Sequence, residues 1–388
     1  PPAALATAAD TFDAALAAAA DTPESMALLS GAVSAAVDYG AAVNRIAAEA
    51  MALRTEADSS IASQVRTIND TLTKVQSLNA EIKSRTIGGG DTSALEDQRE
   101  RLIKDISSMI PVRVVPRELG AVSIFATNGA QLLDGKVFEL GFAPTTLVTP
   151  EQTLANGALS GITVNGVAMR IGEGSGRGLL DGGSLSAAFE MRDVEIPGIT
   201  SALDDLAADL ITRTQGLGAD PTIGAGAAGL FTDEGGAFDP ADLTGVSLRL
   251  SVNAAIDPAA GGSVFRLRDG IGAAAPGDVG ISSVLRGLQD AMEELRAAPP
   301  GSALSGLRSA AGFAGVFSAD VVSRANATEN EANFRAGRQY ELIDAELSRT
   351  GVDTDQQMAR LLVVEQAFAA NARVVQVIDE LLERLINL

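Results

Sequence analysis

Apolar positions recur at helical spacing near both ends of the chain, and a different texture fills the middle. Ile61, Val65, Ile68, Leu72, Val75 and Ile82 follow steps of four and three, with Leu78 filling the step between. That rhythm predicts an amphipathic helix with a narrow apolar seam. Upstream, Leu29, Val33, Ala36, Val43, Ile46 and Ala50 mark a looser stripe, so helix is predicted from Pro23 to about Arg85. A helix of about 60 residues spans about 90 Å at 1.5 Å per residue. Gly40 inside it costs about 1 kcal/mol relative to Ala and marks a place to bend or break. The stretch TIGGGDTS stops the helix, with glycines for the turn and Asp91 or Thr92 to cap the next one. That next helix places Leu95, Leu102, Ile106 and Met109 on one face. The pair predicts an antiparallel helical hairpin.

The texture changes at Pro111. Short Val/Ile/Phe runs alternate with Leu-Gly, Asn-Gly and Asp-Gly pairs, which are hairpin signals. GITVNGVAMRIG is the clearest hairpin, with Asn165-Gly166 as its turn, and β structure is predicted from about Val112 to Leu180. Ile199, Leu203, Leu206 and Leu210 restore a helical rhythm, and Pro197 is placed to open that segment or kink it. A Gly/Ala/Pro-rich stretch leads to a second predicted β segment, GVSLRLSVNAAI with GSVFRLRDG. Helix resumes near Ala303 and continues to the end with one turn at Thr350-Gly351.

In the closing helix Leu361, Val364, Phe368, Asn371, Val375, Ile378, Leu382 and Leu385 take successive seam positions. Asn371 is the polar member, a residue type that fixes register at some cost in stability. Leu362, Val374, Val377, Leu381 and Leu388 form a second apolar flank. One partner helix does not cover both stripes, so this helix belongs in a bundle or keeps a face for another molecule.

Composition narrows the chemistry. The 388 residues include no Cys, His or Trp, which removes disulfides, thiol catalysis, histidine bases and most transition-metal sites. Apolar residues make up 46% and aromatics 4%, a balance rich in Ala that suits close helix packing. A net charge of −21 has the wrong sign for phosphate neutralisation, so no nucleic-acid partner is expected, and it matches anionic lipid poorly. No uncharged apolar run of about 18 residues predicts a membrane span. The start carries Asp10 and Asp13 without a basic leader or an initiator Met, and reads as the core of something longer rather than a signal peptide.

Three stretches invite chemistry and read better as structure. IGEGSGRGLLDGG has neither dinucleotide nor Walker spacing and reads as a linker. Asp233, Glu234, Asp239 and Asp242 do not match a calcium loop and read as a solvated acidic turn. Glu96, Asp97, Glu100 and Asp105 interleave with Arg99, Arg101 and Lys104 as an exposed helix face does. No catalytic residue, cofactor or metal site is expected.

The C-terminal stretch GVDTDQQMARLLVVEQAFAANARVVQVIDELLERLINL resembles the closing motif of bacterial flagellar axial proteins, through Asp353, Asp355, Met358, Gln366-Ala367-Phe368, Ala370-Asn371-Ala372 and Asp379-Glu380-Leu381-Leu382. LEDQRERLIKDISSMIPVRVV, AVSIFATNGAQLLDG and the central helix with Arg192-Asp193, Pro197 and Leu203-Asp204 are similar to the hook-associated protein 1 family within that group. Where that family usually carries an Asn and a His, at the end of the central helix, this chain has Arg213, Thr214 and Gln215.

The expectation is an α+β chain: an elongated coiled-coil-like bundle built from N- and C-terminal segments, with β-rich insertions in the middle. The helical parts are 1–111, 184–222 and 302–388, and the insertions are 112–183 and 223–301. The resemblance implies a structural role in the bacterial flagellum, as a ring of subunits joining hook to filament, exported without a cleaved signal. It implies hook protein, a second hook-associated junction protein, further copies of the chain, and an export chaperone on the C-terminal helix as partners. Phe368, Asn371, Val374, Val377, Leu381, Leu385 and Leu388 are the expected assembly residues. A filament-side junction protein, a hook protein or a carboxylate-dependent hydrolase is the alternative; the Asp-Gln-Arg stretch followed by Arg192-Asp193 argues against the first two.

Overall fold

A computed structural model describes residues 2–169, 182–216, 218–299, 301–350 and 354–386; side chains at 2–3, 349–350, 354–356 and 374–386 are outside that description. The linker-like stretch at 171–183 falls almost wholly outside it. The class is α+β, with long helices at both ends and a β-containing middle. By compactness the chain divides into residues 1–322 and residues 323–388.

In the first unit, α1 (Pro2–Asp21) packs beside α2 (Met26–Ile87), a 62-residue helix that runs through Gly40 without a break. A side chain at Gly40 would meet nothing within 4 Å, so neither crowding nor a turn requires glycine there. Ser25 caps α2 by accepting a hydrogen bond from the Leu28 amide. One stretch of α2 is apolar enough to cross a bilayer by composition, but half of it is buried inside the fold.

Two cores share α2. Its first half puts Leu29, Val33, Ala36, Tyr39 and Val43 against Leu5, Phe12 and Leu16 of α1 and Leu203, Leu206 and Leu210 of α5 (Ile196–Thr214). Alanines at positions 9, 19, 32, 36, 47 and 207 line this core, and their small side chains let the helices approach closely. Its second half carries the Ile61–Ile82 seam, buried along its length. That seam is intramolecular. It is covered by α3 (Ser93–Met109), by α4 (Gly183–Glu190) through Leu185 and Phe189, and by two small antiparallel sheets.

The larger sheet has the order β1 (Val112–Pro116), β2 (Val122–Ala126), β3 (Gln131–Asp134), β4 (Lys136–Val137). The smaller joins β5 (Leu140–Gly141), β6 (Thr163–Val164) and β7 (Val167–Ala168). Asn165 and Gly166 turn between β6 and β7 with φ of 51° and 81°, the left-handed pair that a two-residue hairpin needs.

Residues 223–301, expected as a β-rich insertion, pack into the helical unit instead. They share the first core, through Leu230, Phe231, Val246, Leu250, Leu267, Leu285 and Leu288. They form short strands β8 (Phe231–Asp233) and β9 (Leu250–Val252), together with three helices, α6 (Val246–Arg249), α7 (Phe265–Asp269) and α8 (Ser283–Glu293). GVSLRL is thus a helical turn leading into a strand, and GSVFRLRDG is mostly helix. The hairpin β10 (Arg296–Ala297) and β11 (Leu307–Arg308) precedes α9 (Ala310–Thr350), which is why helix resumes at 310 rather than 303. Phe313, Ala314 and Phe317 of α9 return to the first core. The last helix is α10 (Thr354–Ile386); the turn expected at Thr350-Gly351 reaches outside the described residues.

Tyr39 sits in that core, edge-on to Phe231 with ring centroids 6.1 Å apart, and Phe12 completes the aromatic trio. Its hydroxyl is buried and has no hydrogen-bond partner among the described residues. Burial pushes the phenol up from its ordinary pKa. Tyr39→Phe is expected to hold or raise stability, by up to about 1 kcal/mol, since it removes a desolvated hydroxyl and keeps the ring. Calorimetric unfolding checks this, and a loss of more than about 1 kcal/mol contradicts it.

Candidate assembly surface

Between the two cores the buried face of α2 turns polar, at Arg54 and Asp58. The chain leaves α4 through one wide helical turn, Met191–Glu195, with π-type bonding. Such a turn re-aims the side chains it carries. Here it drives Arg192 wholly inside. Arg192 donates from Nη1 to Asp58 Oδ1 at 2.6 Å, from Nε and Nη2 to Asp193 at 2.8 Å each, and to the Ser160 carbonyl at 3.0 Å. Its guanidinium lies 4.9 Å from the Phe189 ring centroid and 5.5 Å from that of Phe142. Burial works against the charge, but Asp193 and Asp58 overcome it and hold the guanidinium above its usual range.

Arg54 completes this joint without a carboxylate of its own. It donates to the carbonyls of Arg192 (2.8 Å), Thr149 (3.1 Å) and Gln152 (2.7 Å). Desolvation lowers its pKa, though an arginine stays charged at any physiological pH. Asp58 Oδ2 accepts from the Thr145 amide. The loop 143–160 is thereby tied to α2 and to the π-type turn. Pro197 follows directly on the π-type turn within one continuous helical run, where the widened turn already interrupts the regular ladder.

A second joint closes the end of α5. Arg213 pairs with Asp209 at 2.6 Å and donates to the carbonyls of Ala291 (2.8 Å), Glu294 (2.6 Å) and Arg308 (3.1 Å). It therefore caps the C-terminal turn of α8, where orphan carbonyls gather, and holds β11 beside it. Thr214 Oγ1 accepts from the Phe231 amide, and Gln215 exchanges two hydrogen bonds with the backbone of Phe238. Glycine is required at 229, because any side chain there would run into the Thr214 carbonyl. Asp204, nearer the middle of α5, accepts from the Gly245 and Ser247 amides and the Ser247 hydroxyl. Burial raises the Asp204 carboxyl from its ordinary pKa, and these donors oppose it. The substituted corner Arg213-Thr214-Gln215 thus helps anchor the chain near Phe231 and Phe238, the end of α8 and β11.

The remaining candidates are structural. Asp233 is held by both arms of Arg249, at 2.7 and 3.0 Å, and Asp239 caps a turn through the Ala241 amide. On α3, Arg99 reaches back to Asn79 Oδ1 and the Gly120 carbonyl, so the charged face carries one inward tie.

Of the expected assembly residues, Phe368 and Asn371 lie on α10 and are exposed, Phe368 at 76%. Val374, Val377, Leu381 and Leu385 fall within α10, with side chains outside the described set, and Leu388 lies outside the described residues. Every described side chain from 357 to 373 is exposed, among them Met358, Leu361, Leu362, Val363 and Val364. On α9, Phe334, Tyr340, Leu342 and Leu347 are exposed as well. So many large apolar side chains exposed on two helices are unusual on a chain that stands alone.

Residues 2–224 match the model of the flagellar hook-associated protein FlgK helical domain, and residues 345–388 match the C-terminal model of the flagellar basal body rod FlgEFG proteins. The chain is 24% identical over 345 residues to flagellar hook-associated protein 1 of Bacillus subtilis (strain 168), covering 82% of this chain and 63% of that one. It therefore spans somewhat under two thirds of that relative. It is also similar to the flagellar hook junction protein FlgK from Burkholderia pseudomallei, with a TM-score of 0.47, 21% identity, and coverage of 59% of this chain and 40% of the other. The helical-domain match alone takes in more than half of the sequence, and the chain belongs to the FlgK family of flagellar hook-associated proteins, structural components of the bacterial flagellum.

Proposed function

We propose that the chain joins hook to filament as a ring of axially stacked subunits. The observation that supports this best is the set of exposed apolar side chains on α10, within the segment similar to the rod-protein C-terminus. In this reading Phe368, Asn371, Val374, Val377, Leu381, Leu385 and Leu388 meet neighbouring subunits. Hook protein lies on one axial side and a second junction protein on the other. Before assembly an export chaperone covers the same helix, and the chain travels through the flagellar channel. The role is mechanical and calls on no substrate or cofactor.

The test separates assembly from folding. Phe368→Ser combined with Val364→Ser is expected to leave the melting temperature of the purified chain within about 1 °C, since exposed positions change stability little. The same changes in the full-length protein in cells are expected to abolish swimming and release filament protein into the medium. Normal swimming and filament retention would overturn the proposed interface.

A further inference from the structure

A cleft of about 360 Å³ lies between α5 and the β10–β11 hairpin. Phe238, Leu243, Leu304 and Phe313 supply apolar walls, and Asp205 and Asp209 supply carboxylates. The charges around it do not balance. Asp209 is paired with Arg213, and Arg296 at the rim is paired with Glu294. Asp205 is 6% exposed, and its partner is the Ser302 hydroxyl. No ion pair to Asp205 is present among the described residues, so one carboxylate in an apolar cleft lacks a counter-charge.

We infer that this cleft is a docking site for an arginine or lysine side chain, flanked by apolar residues, on a protein other than this chain. The chemistry follows from complementarity. The cationic head would meet Asp205 in a place where water competes weakly, and the stem and its neighbours would lie against the phenylalanines and leucines. At a net charge of −21 the chain attracts a more basic protein to this cleft more strongly than it attracts a second copy of itself. This inference does not depend on the hook–filament reading.

Benzamidine is a suitable probe: a flat apolar ring bearing one amidinium. Titrated into the purified chain by calorimetry or ligand-observed NMR, it is expected to bind at least about tenfold more tightly than neutral benzamide. Asp205→Asn is expected to erase that preference. Burial already pushes the Asp205 carboxyl up, so the neutral isostere should fold, with an unchanged melting curve as the control. The tripeptide acetyl-Leu-Arg-Phe-amide should likewise bind better than its citrulline counterpart. Equal binding of benzamidine and benzamide by the unmodified chain overturns the inference without recourse to any variant. Self-association that depends on Asp205 would overturn the choice of occupant.

Discussion

Arg192→Leu is expected to destabilise the first unit by about 3–5 kcal/mol, as removal of one partner from a buried ion pair does. Asp58 has no solvent exposure, and its remaining bond is to the Thr145 amide. The substitution leaves that carboxylate desolvated and without its cation, and it strips the Ser160 carbonyl of a donor. Arg192→Lys should rescue little, because one ammonium does not reproduce a fork that reaches Asp58, Asp193 and Ser160 together. The pair Arg192→Leu with Asp58→Leu is expected to recover more than half of the loss, since no orphaned charge then remains at 58. Chemical denaturation of the unmodified chain, Arg192→Leu, Asp58→Leu and the pair gives the coupling directly. A single-variant loss under about 1 kcal/mol would show that water reaches the joint and that the burial argument fails.

Arg213→Ala is expected to cost about 2–4 kcal/mol, with a different distribution. It exposes no second buried core, but it unpairs Asp209 and uncaps the carbonyls of Ala291, Glu294 and Arg308. The damage should concentrate in α8 and the β10–β11 hairpin, whose short ladder pairs Arg296 with Arg308 and Ala297 with Leu307. Hydrogen exchange resolved along the chain checks this. Amides from about 288 to 310 should exchange faster while those of α2 between Ile61 and Ile82 keep their protection. Uniform acceleration along the chain would mean that Arg213 supports the whole unit rather than this corner.

The long elements were legible because period and length reinforce each other. Seven apolar residues from Ile61 to Ile82 allow few alternatives to helix, and the Asn165-Gly166 turn is nearly a local necessity. Phe265 and Leu267 alternate as a strand would, yet they sit in α7, because a five-residue window does not separate the two periods and packing beneath α2 decides. Only part of the cover of the Ile61–Ile82 seam was local information: α3 follows directly in sequence, but α4 and both sheets lie farther along the chain. Arg54 and Asp58 left a trace, a charged pair four residues apart that interrupts an apolar stripe. Nothing local says that such a pair is buried, because its burial depends on Arg192, 134 residues after Asp58. Arg213 stood out only as a departure from the family pattern, and its role emerged from the carbonyls it collects.

An unbroken α2 has a mechanical consequence. Both cores are built on one rod of continuous backbone hydrogen bonds, so a tug on either end is borne in tension along the helix axis rather than by sliding between domains. Where the rod's apolar grip gives way, the polar joint at Arg54 and Asp58 takes over. Ion pairs and charge-assisted bonds there resist shear through direction, whereas oily contacts on either side resist only separation. Under a turning load, the first unit should behave as a stiff spar pinned at one directional joint.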